Sequence, residues 1–81
     1  MIWASTERGW ERDLGRIGWL EVVPVDGKWS LLWAHRGTET ELSERATDTL
    51  AMVAGNEWVD IVRTQLGNVL AQQANPQDDG E

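Results

Sequence analysis

The chain has no cysteine, no phenylalanine and no tyrosine, and only a single histidine and a single lysine. Without cysteine there is no disulfide and no thiolate zinc site, and one imidazole, His35, does not make a histidine-rich one. The apolar runs are four or five residues long, far short of the roughly 20 needed to cross a bilayer. The N-terminus lacks the basic start and apolar stretch of a signal peptide. A protein acting in the cytoplasm, with no membrane partner and no cofactor, is the expectation. Catalytic motifs are also missing: no Gly-x-Ser-x-Gly, no glycine-rich phosphate loop followed by a helix and lysine. The reading is non-enzymatic.

What is present is tryptophan, six in 81 residues, five of them before position 34. Trp and Arg have GC-rich codons and Phe, Tyr and Lys AT-rich ones, so the composition points to a high-GC genome. At this length one domain is expected, burying about 60% of its unfolded surface and needing tight aromatic packing or oligomerisation for stability. The net charge of −7 is unevenly spread. Residues 1–36 are neutral overall, and the excess of acid lies in 37–81, where only Arg45 and Arg63 are basic. Such a chain is repelled by phosphate backbones, which disfavours direct nucleic-acid binding.

The local pattern predicts an α+β fold: an antiparallel β-hairpin with two C-terminal helices packed on one face. Strands at 17–25 and 28–35 flank Asp26 and Gly27, a pair suited to a type I′ turn. A two-residue loop places Leu20, Val22, Pro24, Trp29, Leu31 and Trp33 on one apolar face, which is the expected core face. Pro24 cannot donate a ladder hydrogen bond, so it should occupy an edge or non-bonded position. The mixed face carries Ile17, Trp19, Glu21, Val23, Ser30 and Leu32. A strand at 10–14, joined through Gly15 and Arg16, extends the hairpin to a three-stranded meander and lays Trp10, Arg12 and Leu14 over the mixed face. The competing reading of the first 16 residues is a helix, since Trp3, Trp10 and Leu14 sit at helical spacing.

Thr38 and Glu41 have the spacing of a capping box, and Leu42, Ala46, Leu50 and Val53 follow at helical intervals. This predicts a first helix ending at Gly55 and Asn56. A second helix over 57–73 would carry Trp58, Val59, Val62, Leu66, Val69 and Leu70 on a stripe broad enough to touch a second copy. The domain is expected to span 1–74, and 75–81 reads as a disordered acidic tail.

Two functional expectations follow. On the first helix Glu41, Glu44 and Asp48 would form an acidic stripe, continued by Glu57 and Asp60, that docks on the basic nucleic-acid-binding surface of a partner protein. Trp19 would anchor it. Small, acidic and cofactor-free, such a module fits a phage or mobile-element inhibitor of the anti-CRISPR or anti-restriction type, acting by occlusion. The alternative is a self-associating structural or accessory protein, with Trp58, Ile61 and Val62 forming a homodimer contact.

Overall fold

Two of the turns in this chain need residues with positive φ, and they organise the molecule. Asp26 and Gly27 adopt φ 51° and 79°, and Arg36 and Gly37 adopt 54° and 80°. Each pair is a two-residue turn whose twist suits a tight hairpin. The computed structural model describes residues 2–74, with side chains described for 2–65. Its strands are β1 (Ala4–Ser5), β2 (Trp10–Asp13), β3 (Trp19–Val25), β4 (Lys28–His35) and β5 (Thr38–Arg45), followed by one long helix, α1 (Asp48–Ala74). The strands form a single antiparallel sheet in the order β1-β2-β3-β4-β5. The class is α+β, as the sequence pattern predicts, but the first part of the expected first helix, residues 38–45, is a strand, and its remainder is continuous with the expected second helix.

The central hairpin matches its expected register, with Val25 opposite Lys28, Val22 opposite Leu31 and Leu20 opposite Trp33. Pro24 lies beyond the end of β2, whose last pairing is Trp10 with Val22. Its nitrogen therefore needs no neighbour there.

Residues 38–41 alternate threonine with glutamate at a period of two, and the turn at Arg36 and Gly37 returns 38–45 antiparallel to β4. Tertiary pairing overrides the capping-box spacing. The helix cap falls instead at Thr47, whose Oγ1 accepts the Leu50 N–H at 3.2 Å, while its carbonyl accepts the Ala51 N–H. A bulge opposite Leu31 and Leu32 shifts the β4–β5 register. It turns both Leu42 and Ser43 towards the helix side, where they line one cavity with Ala54 and Trp58.

The break expected at Gly55 and Asn56 is absent, because α1 runs straight through both. Gly55 is a packing residue. A Cβ there would lie 3.0 Å from two Trp3 ring carbons and 3.1 Å from Leu31 Cδ1. Ala51, Gly55 and Val59, four residues apart and buried, bring the helix down onto Leu20, Val22 and Leu31. Trp10, Trp29, Trp33, Leu42, Met52 and Trp58 ring this core. Asn56 ties the helix to β2 and to the N-terminal segment before β1. Its Oδ1 accepts the Trp3 indole N–H at 3.0 Å and a guanidinium N–H of the buried Arg12.

The N-terminal strand reading is right in kind and wrong in face. A 3-10 turn at Gly15–Ile17 lengthens the connection, and Asp13 pairs with Trp19. That is a one-residue slip from the expected register, and in a sheet one residue exchanges the faces. Trp10 and Arg12 therefore lie opposite Val22 and Leu20 on the helix side. The expected tail at 75–81 lies outside the described residues, as do the side chains of Leu66, Val69 and Leu70.

Candidate functional site

The slip that carries Trp10 and Arg12 into the core has a second effect: Glu11 and Asp13 go to the other side of the sheet, which α1 leaves open. Cross-strand partners share a face, so the registers define this surface row by row. One row runs Glu11, Glu21, Leu32, Glu41, and the next Asp13, Trp19, Ala34, Glu39. A third places Val23 and Ser30 beside Glu44. With strands about 4.8 Å apart, carboxylates on β2 and β5 flank a middle strip in which Trp19 is exposed and Leu32 half-buried, while Val23 and Ala34 beneath them are buried. Lys28 is the one base whose strand position faces this side. It pairs with Glu44 at 3.6 Å, an exposed contact of the kind that contributes little stability.

Several contacts give the surface fixed features. Trp19 is 40% exposed, and its indole N–H donates to Glu21 Oε2 at 2.9 Å. The Ser30 hydroxyl donates to Glu41 Oε2 at 2.8 Å. Glu11 and Glu21 stand directly opposite one another, a like-charge pairing that weakens a sheet. Both line a cavity of about 300 Å³ with Thr6, Glu7, Arg8, Trp10 and Val23. Glu21 Oε1 is buried there without a hydrogen bond among the described residues. A buried acceptor left unsatisfied costs stability.

The expected acidic helix stripe does not form. Glu41 and Glu44 lie on β5 and share the open face with Trp19. Asp48 begins α1 on the opposite side, where Oδ2 accepts the Trp10 indole N–H at 3.1 Å and Oδ1 accepts the Thr49 N–H. Its role is to join the helix start to the sheet. Glu57 and Asp60 are exposed on α1, away from the other acids. Glu11, Asp13, Glu21 and Glu39 complete the surface, and the sequence reading did not assign them to a site. The period-two alternation of residues 38–41 was the signal for Glu39, whereas only the β2–β3 register could place Glu11 and Asp13.

For the expected self-association contact, Trp58 packs against Trp33 at 5.3 Å between ring centroids and belongs to the rim of the core. Val62 is half-buried, and Ile61 is 58% exposed. Trp33 also stacks on His35 at 5.3 Å, with the rings inclined by 7°, so the lone imidazole has a packing role. Among the described residues no group of three or more His, Asp or Glu is placed to hold a metal ion. No helix among them is long and apolar enough to cross a membrane. No family model matches the chain, and no curated protein or solved structure is significantly similar to it.

Proposed function

We propose that this protein is a non-enzymatic binding module whose open sheet face docks on a basic surface of a partner protein. The partner class is a nucleic-acid-handling protein, and the role is that of a phage or mobile-element inhibitor, of the anti-CRISPR or anti-restriction type, acting by occlusion. One observation carries the reading: Glu11, Asp13, Glu21, Glu39, Glu41 and Glu44 gather on the face that α1 leaves open, around the exposed Trp19. Carboxylates at strand spacing compete with phosphates for the same basic groove, and an exposed tryptophan among them supplies a desolvated anchor. The opposed Glu11 and Glu21 support it as well, because a like-charge cost of this sort is what a partner's cations offset.

The test is a tagged pull-down from lysate of a high-GC host. Wild type should capture a nucleic-acid-handling protein that high salt releases. Glu39→Lys with Glu44→Lys, both exposed, should lose that protein, while Glu57→Lys with Asp60→Lys on the helix should retain it. Equal capture by both double variants would refute the open-face assignment.

A second reading is self-association through α1. Leu50, Val53 and Ile61 are each about half exposed, at 50%, 48% and 58%, and their spacing gathers them within one arc of the helix surface.

A further inference from the structure

The meander leaves the sheet with two very unequal edges. β1, at one edge, is two residues long, whereas β5, at the other, runs for eight with no strand on its outer side among the described residues. A long edge strand offers a row of unpaired N–H and C=O groups. Which residues present them follows from the turn. Arg36 and Gly37 form a type I′ turn, so the flanking pair, His35 and Thr38, exchanges both of its hydrogen bonds. Antiparallel pairs alternate between bonded and non-bonded. Trp33 and Thr40 are therefore bonded, while Glu39 and Glu41, opposite Ala34 and Leu32, direct their backbone groups outwards. The same two residues place their carboxylates on the open face, followed by Glu44 beyond the bulge.

We infer that the outer edge of β5 accepts an extended basic segment of the partner as a sixth strand, with alternate Lys or Arg side chains beside Glu39, Glu41 and Glu44. The inference rests on the proposed docking function and specifies its mode. Backbone hydrogen bonds to Glu39 and Glu41 supply the attachment, and the carboxylate row selects the charge of the incoming strand. The same row disfavours a second copy of this chain. Two β5 strands related by a two-fold axis perpendicular to the sheet keep their open faces on the same side and bring Glu beside Glu, which repels.

The measurement is amide hydrogen exchange by NMR on the whole protein. The probe is a short capped peptide alternating lysine with threonine or valine. The controls are the same peptide N-methylated at every second residue, in either phase. Binding should slow exchange at the Glu39 and Glu41 amides by ~10-fold or more at saturation, and N-methylation in one phase should weaken affinity by at least about 10-fold. If all the peptides bind equally and leave those amides unprotected, strand addition is wrong while docking on the open face stands. Absence of binding by any peptide also overturns strand addition, and the charge-reversal pull-down then decides the docking face on its own.

Discussion

Asn56 shows how much one side chain can hold in a domain without disulfides. Its Oδ1 accepts from both the Trp3 indole and the buried Arg12 guanidinium, tying the N-terminal segment and β2 to the helix. Asn56→Ala leaves two donors without an acceptor, one of them charged. It should lower stability by about 3 kcal/mol, read as a fall in the urea midpoint at unchanged slope. Asn56→Asp keeps the acceptor and should stay close to wild type; an equal loss in both variants would mean that the hydrogen bonds are not the cause. Trp19 is the opposite case. It is 40% exposed and donates only to a neighbouring carboxylate. Trp19→Ala should change stability by about 1 kcal/mol or less yet reduce partner affinity by about 2 kcal/mol. A melt and a titration on one sample check both halves.

At the scale of elements, α1 is continuous because tertiary contacts override the local signals that would have ended it. Gly55 costs the helix about 1 kcal/mol relative to alanine, but its missing Cβ lets the helix axis approach Trp3 and Leu31. Gly55→Val should therefore destabilise by about 2 kcal/mol or more through overpacking, and the thermal midpoint measures it. A stabilised variant would show that the indole can move aside. β5 is the element where the sequence was ambiguous. The spacing of Thr38 and Glu41 is that of a capping box, and the same residues alternate with a period of two. The type I′ turn at Arg36 and Gly37 and the pairing with β4 decide for the strand. A capping box contributes only locally, whereas a paired strand satisfies a whole row of backbone groups.

For the whole molecule, one side of the sheet is covered by α1 and the other is open and acidic, and the helix has its own exposed apolar residues. A 27-residue helix is about 40 Å long, against about 26 Å for an eight-residue strand, so α1 is longer than the sheet it packs on. If self-association uses its outer side, sedimentation of wild type should show a dimer at high concentration, and Ile61→Glu should return it to monomer. A wild type that stays monomeric at the highest concentration would remove that reading.

The hairpin around Asp26 and Gly27, its apolar face of Leu20, Val22 and Leu31, and the acidic excess after residue 36 were legible in the sequence. Each depends on a property that needs no distant partner: turn geometry, two-residue alternation or formal charge. The face taken by Glu11 and Asp13, the strand identity of 38–45 and the uninterrupted helix were decided only in three dimensions. A one-residue change in loop length exchanges the sides of a strand, and a glycine reads the same whether it ends a helix or admits an indole. The acids that share a face with Trp19 were brought there by register, which local sequence does not carry.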